Sequence, residues 1–285
     1  MVEKSTEFVS REVVTDGEFV YNTGCVLNLR NSTIEKEYFD TVLIGVIGNK
    51  ECVDLPQKFC GKKIVCINPL KVYKTGHKLN LEKKQIVPIP LKSRPKLWYT
   101  FKGTLPDVDY LTEEANAIKE ICLDNVLLKE GCFKNSCIES VFFKKSPAVI
   151  PEECFAECKN LKSLTLSKGV KKIGYRAFMG CSSLKNINLP DSITNICEMA
   201  FLETGLEYIV VPKGVERIKK LTFGNCVKLQ MVIIPPSVKY IHAKAFYGSP
   251  DVVLVSTVNS VAEKFAYENN IHFLSIENII KLREK

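Results

Sequence analysis

Twelve cysteines and three histidines are the residues of this 285-residue chain best suited to chemistry. Cysteine offers a nucleophile, a metal ligand or half of a disulfide, and histidine a base or a ligand. Their spacing argues against each use. No Cys-x-x-Cys pair occurs, so no metal is expected. His77, His242 and His272 fall in separate segments, and nothing couples any of them to a cysteine. There is no Gly-x-Gly-x-x-Gly, no His-Glu-x-x-His and no Gly-x-Ser-x-Gly. The cysteines recur instead. Cys158, Cys181 and Cys226 each stand eight residues after an isoleucine, and Cys132 and Cys154 hold the place that is Ala177, Ala200 and Ala245 elsewhere. A thiol is small and readily buried, so it replaces alanine in a tight stack. These cysteines are expected to be reduced and structural, and the chain is expected to be no enzyme and to need no cofactor.

The elements that set this spacing form a repeat. Segments opening at Ile150, Ile173, Ile196, Ile218 and Ile241 each reach a phenylalanine five residues on, at steps of 23, 23, 22 and 23 residues. A Leu-x-x-Leu-x-Leu rhythm follows, as Leu161, Leu164, Leu166 and as Leu184, Ile187, Leu189. The last two members alternate as a half-buried strand requires. Proline then ends the strand at Pro190, Pro212 and Pro235, because it cannot donate to a ladder. A fixed period of this length marks a solenoid, in which each unit buries its apolar face against its neighbours. Phe155, Phe178, Phe201, Phe223 and Phe246 are expected to stack in one ladder. Weaker copies extend upstream through Leu128, Phe133 and Ile138 to Ile118, Ile121 and Leu123. The fold class expected is α+β, a β-rich solenoid over 106–255, with a β-rich region at 1–105 and a helical cap at 256–285. In the cap, Ser260 is a candidate N-cap, Val261 and Phe265 share a helix face, and Asn269-Asn270 can stop the helix.

From Ile173 to Ile193 the pattern Ile-Gly-x-x-Ala-Phe-x-Gly-Cys-x-x-Leu-x-x-Ile-x-Leu-Pro-x-Ser-Ile is intact. It resembles the BspA-like (Treponema pallidum-type) leucine-rich repeat, as does the closing stretch from Ser256 to Phe273. The resemblance covers roughly 115–275. It implies a leucine-rich-repeat solenoid and a protein-binding role, since relatives include surface proteins that attach to host matrix and to other cells. The chain's first residues are charged and lack an apolar run, so no signal peptide is expected. The compartment expected is the cytoplasm, or export by another route, with the cell surface as the alternative.

Before residue 105 the repeat register is lost. Glu18–Tyr21 and Cys25–Leu29 flank Asn22-Thr23-Gly24 as a plausible hairpin, with strand candidates at Thr41–Ile47 and Lys63–Ile67. Residues 85–96 read as a linker or an extended edge. The phrase Val53 to Gly61 faintly echoes the repeat, so this region is either a small domain or decayed repeats. Charge is uneven. Residues 1–55 hold five Lys/Arg against ten Asp/Glu, and residues 56–102 hold twelve against one.

Two surfaces are candidate sites. The first is the strand face turned away from the leucines, where a protein partner is expected: Phe142, Ser163, Thr165, Asn186, Asn188, Tyr208, Val210, Met231 and Ile233. Its character changes from small and polar to aromatic and apolar along the array. The second is the basic segment, with Lys62, Lys63, Lys83, Lys84, Arg94 and Lys96 as candidates for gripping nucleic acid or an anionic lipid surface. Read blandly, the first is ordinary β-strand composition and the second is a solvated face balancing the acidic start.

Overall fold

The computed structural model describes residues 119–123 and 128–278 with their side chains. Of Asp124 and of the strands between residues 7 and 88 it describes the backbone alone. The chain divides into two compact units, Met1–Asn49 with Pro56–Ala115, and Lys50–Leu55 with Asn116–Lys285. The strands up to residue 88 are β1 (Glu7–Thr15), β2 (Phe19–Arg30), β3 (Thr33–Ile47), β4 (Cys52–Asp54), β5 (Lys58–Phe59), β6 (Lys62–Lys63), β7 (Cys66–Tyr73) and β8 (Val87–Pro88), of which β4 belongs to the second unit. Five of them form one sheet in the order β7-β3-β2-β1-β8. The expected hairpin at Asn22-Thr23-Gly24 is not a turn. Those residues lie inside β2, where the pairing with β3 shifts register between Asn22 and Gly24. A glycine within a strand accommodates such a bulge, which mimics a turn signal in sequence. The 85–96 stretch supplies an edge strand at β8, and its remainder lies outside the described residues.

The second unit is the solenoid. One ladder is built from the leucine strands: β9 (Glu120–Asp124), β10 (Ser140–Lys145) and β12 (Ser163–Thr165) run parallel, with β4 paired onto β9. The second ladder uses the residues at each opening isoleucine, β11 (Val149–Ile150), β13 (Lys172–Ile173) and β14 (Asn195–Ile196). Further along, β15 (Tyr208–Val210), β17 (Met231–Ile233), β19 (Val253–Ser256) and β20 (His272–Ser275) continue the first wall. The second wall continues as β16 (Arg217–Ile218) and β18 (Tyr240–Ile241). The leucines and isoleucines of both walls point inward and are buried, apart from Ile233 and Leu274, which face outward.

A third seam joins the turns that carry the phenylalanines. Positive φ recurs at two positions of each interior turn, as at Glu153 (49°) and Glu157 (60°), and at Arg176 (53°) and Gly180 (73°). A side-chain-bearing residue there costs about 1–2 kcal/mol. The alternation turns successive odd amides toward the next coil, and bonding offsets the cost. Glu153, Phe155 and Glu157 donate to the carbonyls of Tyr175, Ala177 and Met179 at 2.7–2.8 Å. The rings stack as expected, Phe155 on Phe178 at 5.5 Å and Phe178 on Phe201 at 5.3 Å, within 8° of parallel. Phe133 extends the stack upstream at 5.3 Å. Each buried ring contributes roughly 1.5–3 kcal/mol, and stacking adds about 0.5–1.5.

One coil is different. Asn186–Asn188 keep the exposed–buried–exposed alternation, yet they pair with neither β12 nor β15, so the expected strand is absent there. Asparagine is a poor strand former, and the following copy is one residue short between Thr204 and Leu206. The shortened loop presses Gly205 against the previous coil. A Cβ on Gly205 would lie 2.1 Å from the Ser182 carbonyl oxygen, so only glycine fits. The second wall breaks one coil further on, between β14 and β16, where β15 still pairs with β17. The turn bonds run through both steps, from Arg176, Phe178 and Gly180 to Glu198, Ala200 and Leu202, and from Met199, Phe201 and Glu203 to Lys220, Thr222 and Gly224, at 2.9–3.3 Å.

The array ends under helix α1 (Val261–Glu268). Ser260 is its N-cap and its Oγ accepts from Glu263 N–H at 3.2 Å. Asn269 ends the helix, its amide donating to the Phe265 carbonyl at 2.8 Å, and Asn270 takes a φ of 53°. The buried stripe is Ala262, Phe265 and Ala266 rather than Val261, which is 38% exposed. Phe265 closes the ring stack, tilted 58° on Phe246 at 6.0 Å.

Candidate protein-binding face

The leucine strands alternate, so every second side chain leaves the core. Phe142, Ser163, Thr165, Asn186, Asn188, Tyr208, Val210 and Met231 are all exposed, and Ile233 is half-buried. Register sorts them into two rows across the coils. Ser163 stands beside Ser140, and Tyr208 beside Met231, Val253 and His272. Thr165 stands beside Phe142, and Val210 beside Ile233, Val255 and Leu274. The candidates therefore share one side of the solenoid but not one continuous ladder, because the pairing lapses at Asn186–Asn188.

On the far side of that lapse the face is apolar. Tyr208 and Val210 are each 49% exposed, and Met231 on the paired strand is 37% exposed. The row runs on to Leu274, which is also exposed. That extension was overlooked in the sequence, although the alternation in Val253-Leu254-Val255-Ser256 and His272-Phe273-Leu274 carries its signal. None of the nine candidate positions is charged. Charges pair elsewhere on the coils: Lys134 with Glu153 at 2.6 Å, Lys162 with Glu139 at 2.6 Å, and Lys239 with Glu216 at 2.7 Å. The Lys134 ammonium beside Glu153 holds that carboxyl below the usual carboxylate range.

Of the basic candidates, Lys62 and Lys63 form β6, which pairs with β5. Lys83, Lys84, Arg94 and Lys96 lie outside the described residues.

The array's cysteines pack as thiols in the core. Cys158, Cys181 and Cys226 donate to the carbonyls of Phe133, Phe155 and Phe201 at 2.9, 3.1 and 3.0 Å. In the shorter copy Thr204 takes this place and bonds to Phe201, and in the last copy Ser249 bonds to Phe223. Burial pushes the thiols up, Cys158 to about 11, so they resist forming the thiolate a nucleophile needs. Cys132 and Cys154 occupy adjacent coils with their sulfurs 3.4 Å apart. His242 Nδ1 accepts from the Lys244 amide at 3.0 Å, a turn role, and His272 is exposed on β20. Among the described residues no group of histidines, cysteines and acids could hold a metal ion, and no helix is long and apolar enough to cross a membrane.

Parallel coils and an aligned core of leucine and phenylalanine define a leucine-rich-repeat solenoid. Residues 127–253 match the BspA type leucine rich repeat region in six copies, and the array belongs to that family. Among curated proteins, none matches the chain. The chain is similar to the leucine rich repeat protein of T. pallidum, at 16% identity over 82% of this chain and 90% of that one, with a TM-score of 0.44. It is similar to a leucine-rich repeat protein from Bacteroides ovatus, at 16% identity, 85% and 70% coverage and a TM-score of 0.30. A leucine rich cell surface protein from Faecalibacterium prausnitzii is similar at 15% identity, 86% and 76% coverage and a TM-score of 0.27.

Proposed function

We propose that the solenoid is a non-catalytic scaffold that binds a protein partner through its outward leucine-strand face, centred on Tyr208, Val210, Met231 and Ile233. The observation that carries this reading is the exposed apolar cluster on paired strands β15 and β17. Exposed apolar area that is contiguous and held on rigid strands suits association. The polar positions Ser163, Thr165, Asn186 and Asn188 border it and suit a hydrogen-bonding rim. The family resemblance supports the finer reading of an adhesin-like or effector-like contact. Cell-surface labelling against fractionation distinguishes that from an intracellular scaffold.

The test is a Tyr208→Ser, Met231→Ser double variant, compared with the parent by proximity labelling and pull-down. Both side chains are outward, so the variant keeps its fold and its thermal midpoint. Loss of the parent's specific partners supports the face, whereas an unchanged partner set places binding elsewhere.

A further inference from the structure

Every interior turn hands its amides to the next coil, and the direction never reverses. Phe155 and Glu157 donate to Ala177 and Met179 at 2.8 and 2.7 Å, and Phe223 and Asn225 donate to Ala245 and Tyr247 at 3.0 and 2.8 Å. The last coil has no successor. Its equivalent amides belong to Lys244, Phe246 and Gly248. The first is taken by the imidazole of His242 at 3.0 Å. The amides of Phe246 and Gly248 have no acceptor among the described residues. Both residues line a depression of about 520 Å³ between the last coil and the end of α1, walled by Tyr247, Phe265, Asn269 and Ile271.

A backbone donor without an acceptor is costly where water cannot reach it. Phe246 is buried, Gly248 is exposed, and both line the same concave site. The chemistry of the site narrows its occupant. No lining residue is charged, so an anion meets no cation. The C-terminal end of α1 opens onto the same depression through Asn269 and Asn270, and its negative pole opposes an anion further. A neutral carbonyl suffers neither penalty. The walls offer open aromatic surface at Tyr247, which is 65% exposed, while Phe265 beneath is buried. Inside the stack, two donors at this spacing are met by two backbone carbonyls of a neighbouring turn, two residues apart.

We propose that this depression binds a turn or extended peptide segment of another protein. Two of its carbonyls accept from Phe246 and Gly248, and an apolar side chain covers Tyr247. The segment completes the seam as a next coil would, a form of backbone addition. This site is separate from the outward strand face and does not depend on it.

The test uses the full chain labelled with ¹⁵N and a capped, uncharged-ended peptide copying Ile173 to Gly180. That segment presents the Ala177 and Met179 carbonyls that meet the same donors inside the stack. The expected result is a saturable downfield movement of the Phe246 and Gly248 amide protons, while the already bonded Phe223 amide stays in place. An Ala243→Trp variant fills the depression from an exposed position and abolishes the movement. Phenylacetate forms the second arm. If the peptide moves neither amide, if phenylacetate alone moves them, or if the movement survives Ala243→Trp, the proposal is overturned.

Discussion

Replacing Phe201 by alanine tests the ring stack in the middle of the array. The ring is fully buried and lies between Phe178 at 5.3 Å and Phe223 at 5.7 Å. Truncation leaves a cavity closed by rigid neighbours on both sides, and such losses run at about 3–5 kcal/mol. Whole domains hold only about 5–15 kcal/mol, so the variant forfeits a third or more of a typical reserve. Position spreads the effect. Phe201 packs on rings of the coils before and after it, and its own amide bonds to Thr222 of the next coil, a step that β15 and β17 also pair across. Solenoid stability is close to a sum of unit and nearest-neighbour terms. Removing one ring therefore weakens two neighbour terms at once. Urea unfolding followed by circular dichroism is expected to show a lower midpoint. The comparison variant is Phe178→Ala, an equally buried ring of the same stack, which is expected to lose stability comparably. A Phe201→Ala midpoint equal to the parent's would refute the stack as a source of stability.

Three further outcomes follow from the geometry. Gly205→Ala drives a Cβ into the Ser182 carbonyl and is expected to cost about 2 kcal/mol or more in chemical denaturation. Ser260→Ala removes the N-cap of α1 and should cost about 1 kcal/mol. The buried thiols make stability fall in alkali. Burial raises Cys158 from its ordinary 9.0 to about 11, with Cys181 and Cys226 also raised. Over that window the folded chain keeps protons that the unfolded chain releases. Stability is therefore full below about pH 9 and declines as the pH climbs through the folded value. At 1.36 kcal/mol per unit, Cys158 alone accounts for about 2–3 kcal/mol. Urea midpoints between about pH 8 and about pH 11 should fall less steeply in Cys158→Ser, which keeps a small donor to the Phe133 carbonyl. An equal slope in that variant would remove the thiol from the account.

What could be read in advance was whatever recurs. The isoleucine, phenylalanine and leucine positions recur because every coil solves the same packing problem, and they located the core and the ring stack. The cysteine registers located buried thiols for the same reason, and Ser260 was legible because a cap is a local arrangement. Conformations that tertiary bonding imposes on unremarkable residues were not legible. Glu153, Arg176, Met199 and Leu221 take left-handed backbone with side chains that give no hint of it. Asn22 to Gly24 looked like a turn because a bulge and a hairpin call on the same residue types. The outward face was found by alternation alone, so its members were identified, while the lapse at Asn186–Asn188 depended on how neighbouring coils meet and stayed hidden.

The missing strand seams have a mechanical meaning. In the most regular coils three rows of backbone bonds share any load along the solenoid axis. On both sides of Asn186–Asn188 the leucine-strand ladder is unpaired, and one step later, between β14 and β16, the second-wall ladder is unpaired, so each of these steps rests on the turn row and one remaining wall. A chain pulled from its ends would yield first along this stretch. The Tyr208–Met231 pairing is the wall that remains at the last of these steps, so tension along the axis would load the outward apolar face itself. The one-residue deletion thus lies in the most compliant stretch of the array.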